Sequence, residues 1–288
     1  MTDLDYVSGS TVLPEGAFGI SPSSLGKFFN EPHNWYRDTF LGEKSFTGST
    51  STVLGTLVHY CAEQHVKGLP IDQTQIYQYL YEQCCHPFLN GFPTSESKAK
   101  SFLLSQARLE FDIEHILYQY PLMASVLIDK INTLVPTKAE EIVCTEIIPG
   151  YWASGSVDLL CGQDLYDYKT TSALSPPKSI SYEHKLQLLT YAYCHIKNGN
   201  PIKSINIIYV TTNVTGRTGT TGKPLADYPA TATILTHYIT AEDIEFIESI
   251  LKLVAETAEY VKANPNLAYI IFRDYRLKSI IPKIKFTF

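Results

Sequence analysis

The stretch Ala139–Thr171 reads AEEIVCTEIIPGYWASGSVDLLCGQDLYDYKTT, and its alternation decides the fold. Apolar and polar residues alternate through Glu141-Ile142-Val143-Cys144 and again through Ser156-Val157-Asp158-Leu159-Leu160, with Pro149-Gly150 and Gly162-Gln163 between the runs. A period of two punctuated by turn formers predicts three consecutive strands, a β-meander. In Leu165-Tyr166-Asp167-Tyr168-Lys169-Thr170 the same period puts Asp167 and Lys169 on one face and Tyr166, Tyr168 and Thr170 on the other. Charges on a strand of an otherwise apolar meander are costly to hold without ligands or partners. If hairpin pairing sets Asp158 opposite this segment, two carboxylates and one ammonium share a site. Two hard oxygen donors suit Mg²⁺ or Mn²⁺, and an ammonium beside them can orient a metal-bound water. A solvated strand face is the alternative reading of the same residues.

The pattern Gly155-x-x-Asp158 followed by Asp167-x-Lys169 resembles the signature of the PD-(D/E)XK nuclease superfamily, with Asp in place of Glu at the second position. Four further matches, in order along the chain, resemble its RecB-like exonuclease branch. Ser21-Pro22-Ser23-Ser24-Leu25, then Glu31-Pro32 and Trp35-Tyr36, is similar to the branch's first helix. Gly55-x-x-x-His59 is similar to its helical histidine motif, and Gln187-x-x-x-Tyr191 to its late helical motif. Glu146 stands on the strand before Asp158, where the branch often has an acid. Together the matches span Ser21 to Thr212.

The resemblance implies a restriction-endonuclease-like α/β (α+β) core, a central mixed sheet flanked by helices with an N-terminal helical region. It implies a metal-dependent DNA exonuclease that hydrolyses phosphodiester bonds from double-stranded ends, in recombination, repair or phage DNA processing. Two ions, Mg²⁺ or Mn²⁺, are expected: one held by Asp158, Asp167 and the Tyr168 carbonyl, a second near His59 and Asp158. Lys169 would position the water and offset phosphorane charge, and Glu146 would orient a metal-bound water. Gln187 and Tyr191 would bond DNA, with His184 and Lys185 as neighbours, and Ser24, Tyr36 and Arg37 would lie at the DNA entrance. An endonuclease of the same fold, or a catalytically weak DNA-binding or assembly module, are the alternatives. A homo-oligomer and a single-strand annealing protein or helicase are the partners to consider.

At 288 residues the chain can bury a large core as one domain. The expectation is a flexible arm over 1–20 and a single nuclease domain over 21–288, with a helical insertion at about 70–135. A net charge of −6 excludes a generic basic nucleic-acid coat, so DNA binding needs a local basic channel. The six cysteines include no CxxC, which removes zinc-type spacing, and they are expected as free thiols. Some relatives in the branch hold an iron–sulfur cluster; here Glu31 stands at the first cluster position and no cysteine follows Cys194, so no cluster is expected. No signal peptide and no membrane-spanning apolar run is read, and a cytoplasmic location is expected.

Helical spacing predicts helices from Val53 to Val66, from Asp72 to His86 and from Thr94 to Lys130, the last two broken at Gly91-Phe92-Pro93 and at Pro121. On the first, His59 is either a satisfied structural residue or, by the resemblance, a ligand. Ser175-Pro176-Pro177 should start a helix that runs to about Lys197, and Ser204 to Val210 reads as a buried strand. The Gly/Thr-rich run from Asn213 to Pro229 carries Arg217 and Lys223, as a basic finger on DNA or as a long hairpin loop. A strand from Thr231 to Ile239 and a helix opened by Thr240-Ala241-Glu242-Asp243 follow. The tail holds Arg273, Arg276, Lys278, Lys283 and Lys285, either along DNA or as a solvated edge strand.

Overall fold

The computed structural model describes residues 13–43, 48–86, 93, 96–216, 218, 221–223, 226–266 and 272. Strand β1 (Phe18–Ile20) leads through a 3₁₀ turn at Pro22–Ser24 into α1 (Leu25–Asn30) and α2 (Pro32–Tyr36). Helices α3 (Thr50–Val66), α4 (Gln73–Cys84), α5 (Glu96–Gln106) and α6 (Ile113–Ile131) come next. The meander follows as β2 (Lys138–Ile148), β3 (Tyr151–Cys161) and β4 (Asp164–Thr171). Helix α7 (Tyr182–Lys197), strands β5 (Ser204–Thr211) and β6 (Ala232–Tyr238), and helix α8 (Ala241–Ala263) complete the order.

The six strands form one mixed sheet. Strand β3 meets β2 antiparallel and β4 antiparallel, β4 meets β5 parallel, and β5 meets β6 antiparallel. Each face is covered by apolar packing. Leu57, Leu80, Met123 and Leu127 from α3, α4 and α6 close on Leu159, Tyr166, Tyr168 and Ile208 on one side. Leu189, Ala192, Leu251 and Val254 from α7 and α8 close on Val157, Leu165, Ile205 and Ile207 on the other. Strand β5 is buried along its whole length, as expected of a parallel-paired central strand.

Several expectations are corrected. The arm is not free to its end, because Phe18–Ile20 pair in parallel with Tyr151, Trp152 and Ala153 of β3. Pro121 does not break its helix: it lies inside α6 on the exposed side. The helical run from Thr94 is instead interrupted between Gln106 and Ile113, where Cys85 and Ala107 form an isolated bridge. Helix α7 starts at Tyr182, later than the prolines suggested, because Ser181 accepts the backbone N–H of His184 as its cap. The break at 91–92, Arg217 and the basic tail beyond 272 lie outside the described residues. At α8 the capping box is complete, with Thr240 and Asp243 bonding each other's backbone.

Candidate active site

A strand has two edges, and β2 occupies one edge of β3 from Tyr151 to Leu160. On the other edge β1 takes Tyr151–Ala153 and β4 takes Leu159–Cys161. Among the described residues the edge from Ser154 to Asp158 is left between them without a strand, and there the molecule opens a cleft of about 500 Å³. Ladder pairing of β3 with β4 stops at Leu159↔Tyr166, so the strands fork at Asp158 and Asp167. The Asp158 carboxylate takes over part of the lost ladder: its Oδ2 accepts the Tyr168 backbone N–H at 2.6 Å.

The fork gathers the sequence motifs. Asp158, Asp167, Lys169, His59, Gln187 and Tyr191 all line the cleft. From α3, His59 Nδ1 lies 3.5 Å from Asp158 Oδ2, and its ring stands edge-on to Tyr168 at 5.4 Å. From α7, Gln187 Nε2 donates to Asp167 Oδ1 at 3.2 Å and to the Tyr191 hydroxyl at 3.3 Å. Lys169 Nζ lies 2.6 Å from Asp167 Oδ2. That contact is an ion pair, and the Asp167 oxygen that makes it is buried.

The two motif glycines are explained by close approach. A Cβ at Gly155 would sit 2.8 Å from Tyr191 Cε1 and 3.1 Å from Pro22 Cδ, so the strand, α7 and the N-terminal turn converge only on a residue without a side chain. A Cβ at Gly55 would meet the Thr170 hydroxyl at 3.1 Å, which lets α3 lie close on β4.

Electrostatics mark the cleft as a place for a cation. Burial raises the Asp158 pKa, the nearby His59 opposes this, and Asp167 adds to it. Burial disfavours the Lys169 ammonium, but Asp167 and Asp158 more than compensate and hold its pKa above the ordinary value. The donor set is hard oxygen, two carboxylates drawn to one cleft beside an ammonium, and this fits Mg²⁺ or Mn²⁺. Among the described residues no three His, Cys, Asp or Glu side chains are drawn together as a finished cage. Each carboxylate is turned to a protein partner instead.

Glu146 is corrected. It is exposed at the β2–β3 turn, opposite Trp152, and accepts the Gly150 N–H at 2.8 Å. Six residues of strand separate its row from that of Asp158, roughly 20 Å at the usual rise. The acid that β2 brings to the cleft is Glu140, missed in the sequence. It falls in the row of Asp158, has a left-handed φ of 50° and accepts the Ser156 hydroxyl at 2.6 Å. Burial first, and then Asp158, raise its pKa to about 8. A strained non-glycine residue beside a carboxylate cluster is a functional signal.

The expected DNA contacts divide. Tyr36 is corrected: it is 6% exposed and stacked between Phe40 and Phe272, so its ring is core. Arg37 is half-buried and paired with Glu43 at 2.7 Å. The Ser24 hydroxyl donates to the Ser21 carbonyl, and it is Ser21 and Ser23 that line the cleft. Lys185 is held by Asp243 at 2.9 Å, and Lys223 is exposed in the β5–β6 loop.

A forked mixed sheet with Asp158, Asp167 and Lys169 at the fork, covered by helices on both faces, defines the core of a nuclease. The chain belongs to the PD-(D/E)XK nuclease superfamily, whose family model matches residues 19–267. No curated protein matches the sequence. Among solved structures, a Eubacterium rectale protein named as an exonuclease is similar, with 11% identity, a TM-score of 0.50 and coverage of 88% of this chain and 83% of its own. The alkaline exonuclease of Laribacter hongkongensis has 13% identity and a TM-score of 0.35, covering 73% of this chain and 93% of its own. A phage-related exonuclease of Haemophilus somnus has 11% identity and a TM-score of 0.37, covering 87% of this chain and 97% of its own. Among the described residues no helix is long and apolar enough to cross a membrane.

Proposed function

We propose that this chain is a divalent-metal-dependent deoxyribonuclease that degrades DNA from free double-stranded ends. The observation that carries the reading is the convergence of Asp158, Asp167 and Lys169 in one cleft at the β3–β4 fork, with Lys169 Nζ 2.6 Å from the buried Asp167 Oδ2. Asp158, Asp167 and the Tyr168 carbonyl would hold one Mg²⁺ or Mn²⁺, and His59 with Asp158 a second. Bound there, the ions supply an activated water and neutralise charge on the phosphate.

The chain's own groups do the rest. Lys169 presents an ammonium beside the reacting phosphate and keeps its proton, because Asp167 and Asp158 favour the charged form. Gln187 holds Asp167 Oδ1 and so fixes the plane of that carboxylate. Glu140 lines the cleft in the role first expected of Glu146. Action from ends is supported by the resemblance to RecB-like exonucleases and by the name of the Eubacterium rectale relative. The same reading proposes a homo-oligomer, cooperation with a single-strand annealing protein or helicase, and a cytoplasmic site of action. It also proposes one nuclease domain over 21–288 with the helices of about 70–135 inserted in it.

The test is degradation of end-labelled linear duplex with Mg²⁺, Mn²⁺ or EDTA, with a closed-circular control and with Asp158→Ala and Lys169→Ala. Metal-dependent loss of linear DNA alone, abolished by both substitutions, is the expected result. Cutting of the circle would make the protein an endonuclease. Retained binding without cleavage in any metal would make it a binding module.

A further inference from the structure

Helix α7 presents a third polar residue to the site besides Gln187 and Tyr191. His184 lies one turn before Gln187, and its Nδ1 is 2.9 Å from the Tyr209 hydroxyl. Tyr209 is the register partner of Lys169 on the parallel neighbour β5. Parallel partners in register project to the same side of a sheet, so the phenol and the ammonium leave side by side. Tyr209 is 3% exposed and cannot turn to water.

A phenol free to rotate there would be the nearest competitor for Lys169. Its hydroxyl is instead tied off, because it lies 2.9 Å from His184 Nδ1. Donation from the phenol to Nδ1 requires the neutral imidazole with its proton on Nε2. Ser181 caps α7 through the His184 N–H and so fixes the backbone that carries the ring. A neutral ring leaves the ammonium with Asp167 as its carboxylate partner, whereas a cation at this place would repel it. Burial, and then Lys169, lower the His184 pKa in agreement with this.

We infer that His184 is a positioning residue for the lysine of the nuclease site, tying the Tyr209 phenol away so that Lys169 keeps one partner and turns its remaining donors to the scissile phosphate. The inference rests on the nuclease reading above, and it concerns orientation rather than contact with DNA or metal. A packing role would lower stability without any relief when the phenol is removed. A positioning role shows in turnover, and removal of the phenol relieves it.

The experiment compares wild type with His184→Leu, His184→Gln, Tyr209→Phe and the double variant His184→Leu/Tyr209→Phe under saturating Mn²⁺ on end-labelled linear duplex. Calorimetry of Mn²⁺ binding without DNA and thermal melting are read on the same samples. We expect His184→Leu to lower kcat about tenfold with KM for DNA and Mn²⁺ affinity unchanged, and Tyr209→Phe, which removes the competing hydroxyl, to keep its turnover alone and to restore it in the double variant. His184→Gln, which keeps an acceptor for the phenol, should retain most of the rate. Full turnover in His184→Leu overturns the inference, as does a double variant no faster than His184→Leu or a loss that appears in KM or in Mn²⁺ affinity. If His184→Leu does not fold, His184→Ala with and without Tyr209→Phe decides by the same criteria. Absence of cleavage by wild type would instead defeat the nuclease reading, and the two failures are distinguishable.

Discussion

Helices α3 and α7 reach the same fork from opposite faces of the sheet, and each carries a motif pair four residues apart. What they do there differs. From α3, His59 meets Asp158 at ion-pair distance without a hydrogen bond, and Glu63 pairs with Lys67 further along the helix. Both of these charges also act on Glu140. From α7, Gln187 and Tyr191 form hydrogen bonds and close contacts, and Tyr191 fits against a glycine. One helix supplies adjustable charge, and the other supplies fixed geometry. Equal spacing in the sequence therefore does not mean equal roles.

The largest expected effect lies at the fork, which both helices serve. Asp158→Ala and Asp167→Ala should each lower cleavage by roughly a thousandfold or more, measured by single-turnover kinetics. An activity that survived either change would remove the fork as the site and leave the comparison without an object.

The next effect belongs to the α3 side and is read in pH. The Glu140 pKa is raised to about 8, so the folded protein binds a proton there that the unfolded chain releases near the usual carboxylate value. Stability from this group is present at low pH and lost as pH rises from about 4.5 towards 8, by at most ~1.4 kcal/mol per pH unit. Glu140→Gln should flatten that slope in denaturant titrations at pH 5, 6.5 and 8. An unchanged slope would mean that the α3 side is no more electrostatic than the α7 side.

Gly155→Ala tests the packing of the α7 side. The added methyl meets Tyr191 and Pro22 together, and a loss of about 1–3 kcal/mol is expected from the denaturation midpoint. Gly55→Ala on α3 should be nearly neutral. The Thr170 hydroxyl it approaches can rotate, and alanine gains about 1 kcal/mol of helix propensity over glycine. Equal losses at the two glycines would contradict the distinction. A smaller loss of activity than at the fork is expected at Gln187, where Gln187→Ala should reduce kcat about tenfold with DNA affinity retained, since its amide holds Asp167 and not the substrate. A rise in KM without a fall in kcat would return Gln187 to the DNA contacts.

The strand period made Asp158, Asp167 and Lys169 legible, because side-chain direction on a strand follows from counting. Choosing the acid on β2 needed more than counting. Gly150 and Tyr151 close the hairpin with Ile148↔Tyr151, and a regular ladder from that pair would set Glu141 opposite Asp158. A bulge between Glu146 and Ile148 shifts the register by one residue. Glu140 then falls in the row of Asp158, and Glu141 turns to the other face, where its Oε2 lies 3.9 Å from His195 Nε2. A one-residue slip exchanges the faces of every side chain, and nothing in Thr145-Glu146-Ile147-Ile148 announces it. Tyr36 was misjudged for a related reason. Its ring is covered by Phe272, which is more than two hundred residues away along the chain.

The pairing of β1 with β3 gives the molecule a built-in optical gauge. The chain has two tryptophans. Trp152 is the register partner of Gly19 in β1. Trp35 is 2% exposed among Phe28, Phe40 and Phe272. Intrinsic emission therefore comes from the corner where the N-terminal segment is seated, beside the mouth of the cleft. A red shift on dilution, heating or addition of DNA would report the lifting of that corner while the rest of the sheet stayed dark, without any label attached.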